Sequence, residues 1–478
     1  MSVSLLDLGG LIPLWIISFG ALVLLLLEAV GKENGRRSAP LLTLALLLAA
    51  IASVFRLISQ RPLPGMLFNG CAVVDLYSVT LMGICLVSGL LCCLYSVSYL
   101  ERERAVTGEY YALLLLAVSG MLVLVVSADF LTLFVGLELM SISSYALAGY
   151  FRNRPRPVEA ALKYFLSGVF ASGFLLYGIA LFYGASSSLR FVDLRHALEM
   201  GQSPLLIALG SAMLLVGFGF KIAAVPFHAW APDVYDGAPA PVSALLSTGV
   251  KTAAVGILAR VLVEGIGLQG PWTFFLGVLA VLTMTVGNLG ALHQTNLKRL
   301  LGFSSVAHAG YLLVGLSVAA SAPSDQVERA VAFYLLAYTL MTSGAFGFIS
   351  WAALPGRASA GGERVEIRDY RGLGLSHPWL GVALALFLFS LAGMTPTAGF
   401  FGKYFLFKLA VDQGQVGLVV VAVLNSFLSA FYYLRAAAAL YQKPEGREEA
   451  IPLSPGVAAA VLICSLGTLA LGFLKFSF

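Results

Sequence analysis

The sequence predicts an all-α polytopic membrane protein of about fourteen transmembrane helices. Three observations lead there. Of the 478 residues, 59% are hydrophobic and 11% charged, against roughly 45–50% apolar and about 25% charged in soluble domains. Apolar runs long enough to cross a bilayer, about 20 residues each, recur along the whole chain. The basic residues between these runs favour every second gap. A soluble chain of this length would form about three domains, and there are too few charges here to cover their surfaces. A soluble enzyme, a nucleic-acid binder and a disordered chain are thereby excluded. The runs are continuous and do not alternate residue by residue, which excludes an outer-membrane barrel.

The expected spans are 11–30, 40–58, 73–99, 111–127, 129–150, 159–184, 204–229, 238–263, 272–292, 297–319, 327–353, 378–410, 414–441 and 455–474. Gly31-Lys32-Glu33-Asn34-Gly35 separates the first two, and Arg61-Pro62-Leu63-Pro64-Gly65 ends the second. Arg152-Asn153-Arg154-Pro155-Arg156-Pro157 marks the turn between the fifth and sixth. Loop charge tests the count. The odd-numbered loops hold 16 Lys and Arg, whereas even loops and termini hold 5, namely Arg61, Arg190, Arg195, Arg329 and Lys475. The positive-inside rule places odd loops in the cytoplasm and both termini outside. One missed or invented helix would scramble this sorting. The net charge of +5 suggests no polyanionic partner. Five cysteines lack metal-ligand spacing and read as small buried apolar residues. The first ten residues hold no Lys or Arg, so no cleavable signal is expected.

Eight basic residues fall within or at the rims of spans: Arg56, Lys163, Lys221, Lys251, Arg260, Lys403, Lys408 and Arg435. Arg56, Arg260, Lys408 and Arg435 lie near span ends, where the first three can snorkel to the headgroups. Lys163 falls in the first turns of its helix. Lys221, Lys251 and Lys403 have long apolar flanks, and a charge at the bilayer centre costs at least about 2.5–3.5 kcal/mol. Glu138 is the deeply placed carboxylate. It could lock one lysine, but one carboxylate cannot neutralise three ammoniums. Groups poised between charged and neutral forms are what a proton relay requires.

Two of these lysines sit beside helix interruptions, Gly217-Phe-Gly-Phe-Lys221-Ile-Ala-Ala-Val-Pro226 and Gly393-Met-Thr-Pro396-Thr-Ala-Gly399-Phe-Phe-Gly402-Lys403. Proline breaks the helical hydrogen-bond ladder, and freed carbonyls at membrane depth persist only where protein or water satisfies them. Interrupted spans at matching places are the pattern of inverted-repeat transporters. They are spans seven and twelve, a spacing of five, which is odd, so the two units run in opposite directions. His228, after the first break, and His308, on the tenth span, are plausible proton links near a lysine relay. His196, His293 and His377 read as solvated. The stretch Arg357–Arg371 reads as a cytoplasmic connection touching neighbouring subunits. No nucleotide-binding, flavin or cluster motif is visible.

Lys221-Ile-Ala-Ala-Val-Pro-Phe-His-Ala-Trp-Ala-Pro-Asp-Val-Tyr-Asp-Gly-Ala-Pro-Ala-Pro-Val-Ser through Lys251 resembles the central signature of the antiporter-like membrane subunits of respiratory complex I. So do Gln294-Thr-Asn-Leu-Lys-Arg-Leu-Leu-Gly-Phe-Ser-Ser-Val-Ala-His-Ala-Gly-Tyr311 and the segment from Ser390 to Lys403. The resemblance runs over about residues 75–440. Within that family, Lys403 stands where one sister subunit usually carries Glu, and a longer sister's lateral C-terminal helix is absent.

The resemblance implies N-terminal helices one to three (1–110), inverted units of helices four to eight (111–263) and nine to thirteen (264–441), and a C-terminal helix (442–478). It implies that Glu138 pairs with Lys221, that Lys251 connects centrally, that Lys403 is terminal, and that Lys163 lies near Glu138. The implied activity is proton translocation coupled to quinone reduction, along Lys221, Lys251 and His308 to Lys403. The expected partners are other membrane-arm subunits and the lipid bilayer of a bacterial inner (plasma) membrane, with no nucleic acid. NADH, flavin, iron–sulfur clusters and quinone belong to other subunits, and this chain holds no cofactor or metal. The alternative is a Na⁺/H⁺ antiporter subunit of a multi-subunit cation/proton antiporter.

Overall fold

A computed structural model describes residues 5–60, 62–267, 271–353, 364–443 and 451–473, with the backbone alone at 5, 6, 31–37 and 271. Among the described residues, thirteen helices are long and apolar enough to span a membrane: Ile12–Val30, Ser38–Ser59, Leu76–Arg102, Gly108–Val126, Phe130–Ala148, Pro155–Ser186, Pro204–Lys221, Ala240–Ile266, Trp272–Leu292, Leu297–Leu316, Ser324–Ala352, Val416–Ala439 and Pro455–Phe473. The expected twelfth span divides into Pro378–Ala392 and Ala398–Asp412, each of 15 residues. At 1.5 Å per residue, either half is about 22 Å long, short of the roughly 30 Å hydrocarbon core. Counted as one interrupted span, they bring the total among the described residues to the expected fourteen.

The first two spans share one uninterrupted helical hydrogen-bond pattern, Ile12–Ser59. Yet a Cβ on Gly20 would meet Leu46 Cδ1 at 2.5 Å. In a straight helix these positions lie about 39 Å apart, so the chain doubles back between the two spans. The side chains of the expected Gly31–Gly35 break lie outside the described residues.

Polar residues define where several helices begin. Asp75 caps span three in a capping box with Ser78. Asp129 accepts from the Leu131 and Thr132 backbone N–H groups at the start of span five. Asn296 accepts from Arg299 N at the start of span ten. Such side-chain oxygens satisfy N–H groups that the first helical turn leaves unpaired. The loop after span two forms a short hairpin, Gly65–Leu67 with Ala72–Val74, and the loop after span six contains the helix Phe191–Glu199.

Loop contacts sort by parity. Arg102, at the end of span three, donates to the carbonyls of Ser350, Trp351 and Ala353 at the end of span eleven. Arg154 after span five pairs with Glu103 after span three. Leu297 N donates to Val365 O, and Gly374 N to Leu440 O, joining the loops after spans nine, eleven and thirteen. On the opposite side, Ala128 N donates to Cys71 O and Phe130 N to Leu189 O, joining the loops after spans two, four and six. Asp7, before span one, accepts from Phe68 N in the loop after span two. A miscounted span would have set odd loops against even ones.

Span eight is wholly buried, and spans ten and eleven nearly so, while spans one, two, thirteen and fourteen lie at the periphery. The periphery is apolar on the outside, as Phe170, Phe274 and Phe427 illustrate at about 70% exposure or more. That is the inverse of a soluble protein. Close approach inside depends on small residues. A Cβ on Gly120 of span four would lie 2.2 Å from Met140 N of span five, and one on Gly287 of span nine 2.4 Å from Ala307 N of span ten. Both neighbours are backbone, which cannot rotate away. Gly120→Val is expected to force spans four and five apart at an overpacking cost of roughly 1–3 kcal/mol or more. The check is thermal unfolding of the detergent-extracted chain, and an unchanged midpoint would show that the approach is not tight.

Candidate functional site

The three deep lysines are buried, with Lys221, Lys251 and Lys403 at 3%, 1% and 4% exposure. Each sits at an irregularity in its helix. Lys221 is the last residue of the first half of span seven, Pro204–Lys221, and the second half resumes at Trp230–Gly237. Its Nζ donates to Ser141 Oγ at 2.5 Å and Tyr145 OH at 3.4 Å on span five. The rings of Tyr145, Tyr164 and Phe220 face the ammonium at 5.3–5.6 Å, in cation–π range.

Lys251 follows directly on a π-helical turn, Leu246–Val250, within span eight. Such turns appear mostly as single interruptions, frequently at functional sites. Its Nζ donates to Ser305 O at 2.6 Å and also to Ser305 Oγ, on span ten. Tyr235 OH lies 3.5 Å from the same Oγ, and the Tyr338 ring 5.6 Å from the ammonium.

Span ten carries the connection onward, because Ser305, His308 and Tyr311 recur every third residue on one helical face. His308 Nδ1 lies 2.6 Å from Tyr334 OH, and Nε2 lies 3.3 Å from Tyr433 OH. The Tyr311 ring faces Lys403 Nζ at 4.8 Å. Lys403 donates to Leu391 O at 3.1 Å, Ala392 O at 3.0 Å and Ser426 Oγ at 2.8 Å. Those carbonyls end the first half of span twelve, where the helix leaves its last C=O groups without intrahelical partners. The break supplies the acceptors that the buried ammonium needs.

Between Lys221 and Lys251 the contacts are aromatic. Tyr164 stacks on Trp230 at 4.5 Å, and Trp230 meets Tyr235 edge-on at 6.1 Å. Trp230 Nε1 also ties the two halves of span seven by donating to Phe220 O at 2.9 Å.

Several expectations need correction. Glu138 forms no ion pair with Lys221 among the described residues; its partner is Ser172 Oγ of span six. Ser141, one turn beyond Glu138, holds the ammonium instead and donates its own hydroxyl to Leu137 O. Lys163 is not beside Glu138. It is 45% exposed and paired with Glu159 at 2.8 Å and Asp233 at 2.7 Å. Ser172, which does touch Glu138, lies nine residues further along the same helix, about 14 Å away. Arg260 does not snorkel. It is 1% exposed and pairs with Asp75 at 2.8 Å. His228 lies in the break of span seven, half-buried, and its Nδ1 has no hydrogen-bond partner among the described residues. It makes no contact with the lysines.

Sequence reasoning missed the hydroxyl groups Ser141, Ser305, Ser426 and Tyr145, which the lysines use. The available signal was small hydroxyl residues within otherwise apolar runs. It also counted Lys298 among the basic residues of the odd-numbered loops. The structure buries Lys298 completely, donating to Ala238 O at 2.6 Å. Asn296 bonds Asp236 at 2.7 Å and Arg299 pairs with Asp233 at 2.6 Å. The start of span ten therefore fastens the second half of span seven. Among the described residues, no group of three or more His, Cys, Asp or Glu could hold a metal ion.

A helical bundle with two interrupted spans and a buried lysine at each break defines an antiporter-like membrane subunit. Residues 127–429 match the family described as NADH:quinone oxidoreductase/Mrp antiporter, transmembrane. NADH-quinone oxidoreductase subunit N 1 of Solibacter usitatus is 39% identical, over 95% of this chain and 91% of that one. A chain of respiratory complex I from Thermus thermophilus is 36% identical, with a TM-score of 0.82 and coverage of 96% and 97%. A chain of the Mrp complex from Dietzia shares the fold, with a TM-score of 0.82 at 23% identity and coverage of 97% and 94%. The protein belongs to the NADH-quinone oxidoreductase subunit N family.

Lys298→Ala removes the short bond to the buried Ala238 carbonyl, leaving it only the long one from Ser243 Oγ at 3.4 Å, and should cost about 1–3 kcal/mol. Lys163→Gln removes an exposed pair and should cost about 1 kcal/mol or less. Thermal unfolding of each purified variant checks the contrast; equal effects would contradict the burial assigned to Lys298.

Proposed function

We propose that the protein is a proton-translocating membrane-arm subunit of NADH–quinone oxidoreductase, and that Lys221, Lys251, His308 and Lys403 carry the proton along an axis parallel to the membrane. The observation that carries this reading is the succession on span ten. One helical face bonds the Lys251 ammonium at Ser305, holds His308 between tyrosine hydroxyls, and presents Tyr311 to Lys403. Water would complete the aromatic stretch between Lys221 and Lys251. Lys163 falls outside this axis, and His228 stands beside it.

Glu138, one turn before the serine that holds Lys221, sets the charge state of that lysine through its electric field. Two charges about 6 Å apart at an effective dielectric of about 20 interact by roughly 2.8 kcal/mol. Moving a proton against about 150 mV takes roughly 3.5 kcal/mol. One such electrostatic switch covers most of a stroke, and the neighbouring subunits supply the rest from quinone reduction.

Spans four to eight and nine to thirteen are the two inverted units in this reading. Support comes from the two interrupted helices and from the matching glycine approaches between spans four and five and between nine and ten. The basic odd loops face the cytoplasm of a bacterial inner membrane, and both termini face outward. NADH, flavin, iron–sulfur clusters and quinone are bound by other subunits, and this chain contributes no redox group. The Na⁺/H⁺ antiporter alternative rests on a shared fold, whereas identity over nearly the whole chain favours complex I.

Lys221→Ala and Glu138→Ala are each expected to abolish most pumping coupled to quinone reduction while the chain still inserts. Dye quenching in inverted membrane vesicles, with immunodetection of the chain, checks this. Normal coupled pumping in both variants would remove the assignment.

A further inference from the structure

A second cluster of ionisable groups lies outside the lysine axis, toward the even-loop side of span eight. Arg260 is fully enclosed. Its Nη2 donates to both oxygens of Asp75, at 2.9 and 2.8 Å. Its Nη1 lies 3.5 Å from Glu264, without hydrogen-bond geometry. Glu328, at the start of span eleven, is half-buried and within electrostatic reach of Arg260, Asp75 and Glu264. Tyr77 of span three packs its ring 5.5 Å from the guanidinium and donates its hydroxyl to Gly256 O at 3.0 Å. Asp325 and Arg329 neutralise each other nearby.

Three carboxylates against one guanidinium leave a formal charge of −2, which a shared proton relieves. A second observation points to water. Arg260 Nε and Nη1 are buried with no hydrogen-bond partner among the described residues. A guanidinium keeps its charge in proteins, and buried donors of this kind are met by ordered water. The carboxylates are partly exposed, at 37% for Asp75 and 32% for Glu264, so the enclosed guanidinium is bordered by carboxylates that reach the surface on the even-loop side.

Position links it to the axis. Thr252, Gly256, Arg260 and Glu264 recur every four residues along span eight, forming one stripe. Thr252, next to Lys251, faces Thr339 of span eleven at 3.4 Å. Glu328 lies eleven residues before Thr339 on that helix. Between Thr252 and Arg260 the stripe packs on span three, where Leu81 lies against Gly256 and Tyr77 donates to Gly256 O, so the seam from Lys251 to the cluster is bounded by spans three, eight and eleven.

We propose that Glu264, held with Asp75 against Arg260, and Glu328, on the same even-loop side at the start of span eleven, form a proton-release port for the Lys251 segment of the axis. A proton leaving that segment is taken up by a carboxylate oxygen, forming an O–H bond, and then passes to water on the outer side, restoring the carboxylate. Arg260 is a positioning residue that keeps the carboxylates together. The port rests on the proton-translocation reading above.

The test is a Glu264→Gln/Glu328→Gln double variant in the intact complex, alongside Lys221→Ala, with pumping normalised to assembled complex. Glutamine keeps the shape and cannot exchange the proton. The expected result is a loss of roughly tenfold or more in coupled pumping. The pH dependence should flatten, and a protonated-carboxyl infrared band seen during turnover of the parent complex should disappear. Full pumping with an unchanged pH profile in the double variant, while Lys221→Ala is inactive, overturns the port alone. Full pumping in both overturns the port together with the translocation reading. Restored pumping and pH profile in Glu264→Asp/Glu328→Asp would separate proton exchange from a purely structural role, and failure of that rescue would count against the port.

Discussion

A charged amine surrounded by protein at membrane depth must find hydrogen-bond acceptors nearby, and regular helices offer few, because their carbonyls are already used. That requirement organises the protein. Lys403 takes the last carbonyls of a helix stopped at Ala392. Lys251 takes Ser305 at a π-turn in its own helix. Lys221 ends a helix and takes a serine and a tyrosine from its neighbour. Where the backbone departs from the α-helical ladder, the lysine is either served by the freed groups or turned toward side chains that serve it.

The same breaks make these sites convertible. A lysine solvated by two or three neutral oxygens has no fixed counter-ion, so its charge responds to what happens a turn away. Glu138 is bonded to Ser172 and Lys221 to Ser141, so carboxylate and ammonium are each held by a neutral hydroxyl and not by one another. A direct ion pair would be more stable locally and harder to switch, since separating two contacting charges costs more than altering a field. Contact with neutral hydroxyls keeps both protonation states within reach.

Stability is concentrated away from the lysines. Glycine approaches fix spans four to five and nine to ten at backbone distance. On the odd-loop side, Arg102 caps span eleven, while Arg299, Asn296 and Lys298 clasp the second half of span seven. On the other side, Asp75 caps span three and also pairs with Arg260 of span eight. The second half of span seven is therefore held at its outer end, while the break beside Lys221 stays irregular.

The span count, the loop parity and the three buried lysines were all legible in the sequence. They follow from one-dimensional facts, namely the length of apolar runs, the placement of Lys and Arg, and a charge flanked by apolar residues. The resemblance to complex I antiporter-like subunits came from contiguous motifs in the same way. What the sequence left open was every contact between spans. Lys163 and Lys298 look alike as basic residues near helix starts, yet one is solvated in an exposed pair and the other sealed under span seven. Arg260 reads as a snorkelling end residue until Asp75, far away in sequence, is brought against it. Glu138 and Lys221 invite pairing until packing gives Ser172 to the carboxylate and Ser141 to the ammonium. Hydropathy and spacing determine which residues enter the membrane; only the rotation and packing of the helices decide which of them meet.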